Sequence, residues 1–225
     1  MKWYPWLRPS FEQLVGSYQA GRGHHALLLQ SLNGMGGEAL IYALCRFLMC
    51  RQPEGHKSCG HCHSCQLMQA GTHPDYYALS PEKGKSALGI DAVRDVNEKL
   101  YEHARLGGAK VVWISDAALL TDAAANALLK TLEEPPAHVI FILATTEIQK
   151  VPATILSRCQ RYDFTRIGPE DIAQRVEYIA GQEGLELSGE GAELISRLAD
   201  GAMRDALSIL DTCAGVTAKI DADVV

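Results

Sequence analysis

Short apolar runs alternate with amphipathic stretches over the first two-thirds of the chain, and the texture then turns wholly helical. His25–Gln30 (His-Ala-Leu-Leu-Leu-Gln) is a continuous apolar run of strand length and predicts a buried strand. A glycine-rich turn and a helix over Glu38–Met49 follow. Residues 50–65, rich in cysteine, glycine and histidine, predict an irregular insert. Tyr76–Leu79 predicts a second strand and Ile90–His103 an amphipathic helix. Lys110–Ser115, rich in β-branched residues, gives the strongest strand signal. A helix over Thr121–Glu134 comes next, with Thr121 or Asp122 as its cap and Pro135-Pro136 as its stop, and then a strand over Val139–Ala144.

This alternation predicts the α/β class, with a parallel sheet sandwiched between helices. Past Phe164 the periods at Glu170–Gly181, Ser188–Asp200 and Met203–Ala214, jointed at Gly181, Gly184 and Gly201, predict a small all-helical domain. The expected division is therefore 1–164 and 165–225.

Composition adds limits. The chain has 225 residues, 47% of them hydrophobic, enough to bury a full core. No apolar run reaches the roughly 18 residues that span a membrane. The opening Met1-Lys2-Trp3-Tyr4-Pro5-Trp6 has no apolar core of a secretory signal, so the expected location is cytoplasmic. A net charge of -6 argues against tight DNA binding by this chain alone, because such binding rests on basic surface.

The turn after the first strand lies where a nucleotide-binding fold carries G-x-x-x-x-G-K-[ST]. Here it reads Ser31-Leu32-Asn33-Gly34-Met35-Gly36-Gly37-Glu38. Ser31 replaces the first glycine, Gly37 the phosphate-binding lysine, and Glu38 the Mg²⁺-binding hydroxyl. Losing the lysine removes a charge-assisted bond worth about 1.5–3 kcal/mol, and Glu38 adds a carboxylate where a triphosphate brings its own negative charge. Gly34, Gly36 and Gly37 then serve to make a tight strand-to-helix turn, and ATP is not expected to bind tightly. The strand that should end in Asp and Glu ends instead in Ser115 and Asp116. Two separate parts of one hydrolytic site are missing, so the chain's own ATPase site is expected to be inactive.

Seven cysteines divide into two groups. Cys50, Cys59, Cys62 and Cys65 follow the spacing C-x8-C-x2-C-x2-C, which lets four sulfurs converge on one tetrahedral centre. A soft, closed set of four thiolates favours structural zinc; an iron–sulfur centre and reduced thiols are the alternatives. His56, His61 and His63 are surplus to four ligands and expected in solvent. Cys45, Cys159 and Cys213 are isolated and expected in cores.

Arg158, in Ser157-Arg158-Cys159, follows a predicted strand and bend. It is either a structural arginine in a surface turn or a cation that reaches a partner's γ-phosphate. Arg204, opening the last predicted helix, either pairs with Asp200, Asp205 or Asp211 or senses nucleotide. Thr145 and Thr146, at a strand end, are candidate γ-phosphate sensors with little to report beside a disabled loop.

With these motifs the chain resembles the bacterial clamp-loader ATPases of DNA polymerase III, a branch of the AAA+ proteins. Trp3–Leu7, His24–Leu28, the altered loop and Trp113–Leu120 resemble the delta-prime branch, which does not hydrolyse ATP. His138–Thr146, Ile155–Gln160 and Arg204–Asp211 resemble the gamma/tau branch. Asn126–Pro136 is common to both, so residues 1–136 and 126–225 read as parts of a hybrid. The resemblance implies zinc at the four cysteines and Arg158 as an arginine finger acting in trans. It also implies gamma/tau and delta subunits as partners, with a sliding clamp and primed DNA met through the assembly. The collar domain that holds such rings together is expected to be missing. Two rivals are an autonomous ATPase with an unusual loop and a zinc-dependent DNA-binding module using Arg51, Lys57 and the three histidines.

Overall fold

The run at Ala26–Gln30 (β1) becomes a central strand because it pairs in parallel along both edges. In the computed structural model, which describes residues 3–32 and 34–225, its neighbours are Val139–Thr145 (β4) and Gln160–Asp163 (β5). Met1, Lys2 and Asn33 of the glycine turn lie outside the described residues. Lys110–Ile114 (β3) pairs β4, and Tyr76–Leu79 (β2) closes the other side, giving a parallel order β2-β3-β4-β1-β5 among the described residues.

Parallel strands need crossovers, and the helices supply them. Arg8–Gln19 (α1) precedes β1; the crossovers carry Gly37–Met49 (α2) and His63–Ala70 (α3) between β1 and β2, Ile90–Leu100 (α4) before β3, Asp122–Glu133 (α5) before β4 and Ala153–Leu156 (α6) before β5. Val93, Val96 and Leu100 of α4 and Ala124, Leu128 and Leu132 of α5 pack with Leu28, Val112, Ile114, Phe141 and Leu143 in one apolar cluster. Leu27, Leu29, Val111 and Ile142 alternate with those strand positions, are just as buried, and therefore serve the opposite face. Helices cover both faces, as the alternation predicts.

Polar groups fix the ends of these elements. Thr121 caps α5 by accepting from the Ala124 N–H at 3.1 Å. Lys110 is only 2% exposed, and its ammonium donates to the Lys99 carbonyl in the last turn of α4, where the helix dipole favours a cation.

The chain divides into two compact units. The sheet unit comprises 9–31 and 38–163; the second comprises 164–225 together with residues 3–8, Leu32 and 34–37. The second unit is built on Pro169–Gln182 (α7), Gly189–Leu198 (α8) and Met203–Ala214 (α9). A two-residue parallel pair, Glu186–Leu187 (β6) with Lys219–Ile220 (β7), corrects the all-helical expectation in a small way. Met35 from the glycine turn is 2% exposed in this unit's core, beside Ile172, Val176, Ala206 and Leu210.

Other differences are local. The insert at 50–65 is not irregular throughout, since α3 begins at His63. The predicted helix at 90–103 stops at Leu100. Among the described residues no helix is long and apolar enough to cross a membrane.

Phe141 is fully buried and stands opposite both Ala26 and Val112 across the sheet. Phe141→Ala should destabilise the sheet unit by about 3–5 kcal/mol in denaturant unfolding, whereas Tyr101→Ala, at a side chain 58% exposed, should stay within about 0.5 kcal/mol.

Candidate functional site

The turn after β1 is shaped by two glycines in the left-handed region, Gly34 at φ +82° and Gly36 at φ +84°. A β-carbon on Gly34 would sit 2.4 Å from Cβ and 2.7 Å from the backbone nitrogen of Arg204, at the start of α9. Glycine is thus required twice over, by torsion and by space. The turn also bonds to itself and to its own unit. The Leu32 N–H points at the Met35 sulfur at 3.3 Å, and the Met35 N–H at the Leu32 carbonyl at 3.4 Å. The Trp6 indole donates to the Met35 carbonyl at 2.9 Å. A working phosphate loop aims such N–H groups at the ligand; here Leu32 and Met35 direct theirs inward.

The remaining nucleotide-site positions follow suit. Ser31 donates its N–H to the Thr145 carbonyl at 3.2 Å, which extends the β1–β4 ladder by one bond. The Thr145 hydroxyl accepts the Glu147 N–H at 3.0 Å, so this sensor candidate serves a local turn. Asp116 accepts the Ala118 N–H at 2.9 Å and caps a short 3₁₀ turn at Ala117–Leu119. Ser115 and Glu38 are exposed, and Gly37 opens α2. Arg204 is exposed; of the aspartates named for it, Asp200 is paired with Arg166 instead.

The four spaced cysteines are brought together. Their sulfurs all lie within 4.8 Å of one another, with Cys50–Cys59 at 3.6 Å and Cys59–Cys65 at 3.9 Å. A tetrahedron with metal–sulfur bonds of about 2.3 Å has edges of about 3.8 Å, so the set fits zinc. Cys50 follows α2, Cys62 precedes the first turn of α3, and Cys65 lies within that turn. The Cys59 and Cys62 N–H groups point at the Cys50 and Cys59 sulfurs, each at 3.3 Å, which favours thiolates. Burial works against the Cys62 thiolate, but backbone amides of Arg51 and Cys65 and the Cys65 and Cys59 thiols outweigh it and bring that thiol down to about 6. Burial pushes the Cys65 thiol up to about 12. His56, His61 and His63 are exposed and are not members of the cluster. Of the isolated cysteines, Cys45 and Cys213 are buried and Cys159 is half-buried.

Behind the cysteines, buried Ser64 and His73 are 2.5 Å apart, and His73 Nδ1 accepts the Asp75 N–H at 3.1 Å. That acceptance places the ring proton on Nε2, pointing toward Ser64. Ser64 is then an acceptor, the reverse of an activated nucleophile, and the pair ties α3 to the start of β2.

Arg158 does not follow a strand directly: α6 intervenes, and Arg158 comes two residues after it. Its side chain is 30% exposed. Nε donates to Glu133 Oε1 at 2.8 Å, Nη2 donates to the same oxygen, and Nη1 donates to the Thr154 carbonyl at 2.8 Å and the Ser157 hydroxyl at 3.1 Å. Glu133 belongs to no local sequence motif, since its partner is 25 residues away. Its signal was a carboxylate at the last residue of a helix, where the dipole disfavours negative charge.

Comparison with known proteins accords with this geometry. The family described as "DNA polymerase III, delta subunit" matches residues 7–168, and that described as "DNA polymerase III clamp loader subunit, ATPase lid domain" matches residues 171–214. The chain belongs to the family of DNA polymerase III clamp-loader subunits. It is 72% identical over 173 residues to DNA polymerase III subunit delta' of Escherichia coli K12, covering 77% of this chain and 52% of that protein. It is 39% identical over 187 residues to DNA polymerase III subunit tau of Bacillus subtilis, covering 83% of this chain and 33% of that one. The clamp-loader chain therefore spans about half the length of its delta' relatives. The delta-subunit match runs through the shared segment at 126–136 and on to residue 168. The AAA+ fold is matched by the gamma subunit-related protein of Thermotoga maritima, at a TM-score of 0.56 and 19% identity over 92% of this chain and 60% of that one.

Gly34→Ala should destabilise the second unit of this clamp-loader chain by about 2–4 kcal/mol, combining a left-handed torsion with a clash against the start of α9. Thermal unfolding followed by circular dichroism measures the shift, and Gly55→Ala, with nothing within 4 Å of its added carbon, should be milder.

Proposed function

We propose that this chain is a non-hydrolysing clamp-loader subunit of DNA replication. In this reading it packs beside an ATP-hydrolysing gamma/tau-type subunit and supplies Arg158 to that neighbour's nucleotide. ATP turnover in the neighbour then governs the loading of a sliding clamp on primed DNA, with a delta-type subunit in the same assembly. Family membership supports the assembly.

The observation that carries the non-hydrolysing part is the path of the glycine turn. Gly34 is seated on the start of α9, Met35 is anchored in a core, and Gly37 and Glu38 stand where a lysine and a hydroxyl would be needed. The residues that would neutralise a triphosphate and hold its Mg²⁺ are replaced, and nearby N–H groups are committed within the chain. Thr145, which would sense nucleotide in an active relative, serves a local turn here, and Arg204 has little to sense beside an altered loop.

Cys50, Cys59, Cys62 and Cys65 are proposed to hold a structural zinc ion, which would cross-link the loop after α2 to the start of α3. Four thiolates close the coordination shell and leave no position for a substrate. A DNA-binding role for this insert finds little support, since Arg51 and Lys57 are accompanied by the acidic Glu54, which lies 3.4 Å from His61.

Arg158 is proposed to stabilise the charge that develops on a γ-phosphate in trans. Removal of such a finger is worth about 10³–10⁵ in turnover at one site. In a reconstituted loader Arg158→Ala should reduce DNA-stimulated ATP turnover at the adjoining site by at least about 10²-fold, and Arg158→Lys should restore little because a point charge cannot bond bidentately. Unchanged turnover would refute the role. Metal analysis should find one zinc per chain; stripping it with a chelator at mildly acid pH should loosen 50–70 and leave β1, β3 and β4 protected in hydrogen exchange. Wild-type protection at 50–70 after complete stripping would count against a structural ion.

A further inference from the structure

We propose that Glu133 is the counter-ion that holds Arg158 in reserve. In the lone subunit its carboxylate caps the guanidinium, and engagement of a neighbour's nucleotide exchanges that carboxylate for phosphate. The proposal rests on the reading of Arg158 as a cation acting in trans and adds how that cation is kept until it is used.

The donor inventory carries it. A guanidinium has five N–H donors and no acceptor. Glu133 Oε1 takes one from Nε and one from Nη2, and the Thr154 carbonyl and Ser157 hydroxyl take two from Nη1. The group is folded back along α6 with four of its five donors engaged. In this arrangement it cannot offer a phosphate the paired donors of a bidentate contact. Releasing Glu133 frees Nε and Nη2, which form one edge of the fork, while the Nη1 bonds keep the side chain aimed.

Position explains why the carboxylate is available for exchange. Glu133 is the last residue of α5, where the unpaired helix carbonyls disfavour a negative charge. Arg158 offsets that penalty, and so would any cation; among the described residues the hydrogen bonds to the carboxylate come from Arg158. The Glu133 side chain is 49% exposed, so water can take over its charge when it leaves. Exposed ion pairs are weak, whereas a bidentate arginine–phosphate contact is stronger and directional, so the exchange runs toward phosphate. A capped arginine also resists stray anions in solution, which favours a partner already loaded with nucleotide.

The test titrates this protein into an ATP-hydrolysing clamp-loader subunit with saturating Mg·ATP and reads turnover. Glu133→Gln keeps shape and removes the competing charge. It should lower the half-saturating concentration about three- to five-fold, the range of an exposed ion pair, and leave the plateau rate unchanged. Glu134→Gln removes the same charge one residue along and should change nothing. In an Arg158→Ala background Glu133→Gln should give no gain. In the lone chain, the Arg158 Nε–H signal in nitrogen-15 NMR should move from a bonded to a solvent-averaged position on Glu133→Gln, a change that general loosening of the fold would not confine to one side chain.

An impaired Arg158→Ala loader together with an unchanged or raised half-saturation for Glu133→Gln overturns the reserve role alone; a raised value would make Glu133 a support that the finger needs. Undiminished turnover with Arg158→Ala overturns the finger reading and this proposal together.

Discussion

The path of the backbone as it leaves β1 is the constraint on which the rest of the molecule depends. A central strand paired on both edges delivers the chain to one fixed place, and Ser31 continues the ladder to β4 by one more bond. Beyond it the chain must turn sharply enough to enter α2, and positive torsions at Gly34 and Gly36 make that turn. In a nucleotide hydrolase the same turn wraps a phosphate. Here its middle is occupied by protein contacts: Met35 lies in an apolar core, its carbonyl is bonded to Trp6, and Gly34 lies against α9 with no room for a β-carbon. A turn held in this way has become part of the scaffold. Gly37 and Glu38, in place of a lysine and a hydroxyl, accord with that arrangement.

In the proposed reading the glycine turn is structural, and the residues left to carry chemistry lie elsewhere. Arg158 and Glu133 form a half-exposed pair between the ends of α6 and α5, and the four cysteines gather where α2 gives way to α3. The two features differ in kind. The cysteine set satisfies itself once a dication is bound, and it closes. In the proposed reading the arginine pair stays open to replacement, because its carboxylate occupies an electrostatically unfavourable helix end and a phosphate would be a stronger partner for the guanidinium. This contrast leads us to assign a fixing role to the first and a signalling role to the second.

Much of this is legible in the sequence. The bounds of β3 and α9 agree with the sequence reading within a residue, because a β-branched run and a clean 3.6 period are strong signals in elements with a buried face; β2, Tyr-Tyr-Ala-Leu, agrees as well without a β-branched residue or a buried position. Of the elements that the sequence does not reveal, three have a clear physical reason. The strand β5 reads Gln-Arg-Tyr-Asp and is largely exposed, so it has no apolar alternation to detect. Helix α1 carries Pro9 and Gly16 inside its span, and both weigh against a helix when context is unknown. Helix α3 was hidden because its first turn holds Cys65, so the metal spacing was easier to read than the helix. At the site, the altered loop and the cysteine cluster could be read from spacing, since each depends on neighbours in sequence. The pairing of Arg158 with Glu133 spans 25 residues and depends on where α6 ends, which no local pattern encodes.

Calorimetric titration of Mg·ATP into the isolated chain tests the central claim most directly. The account predicts no saturable heat up to millimolar nucleotide, because the turn's bonds and the charge at Glu38 both oppose a triphosphate. Mg²⁺-dependent binding at submicromolar concentration, lost on replacing Gly36, would contradict it.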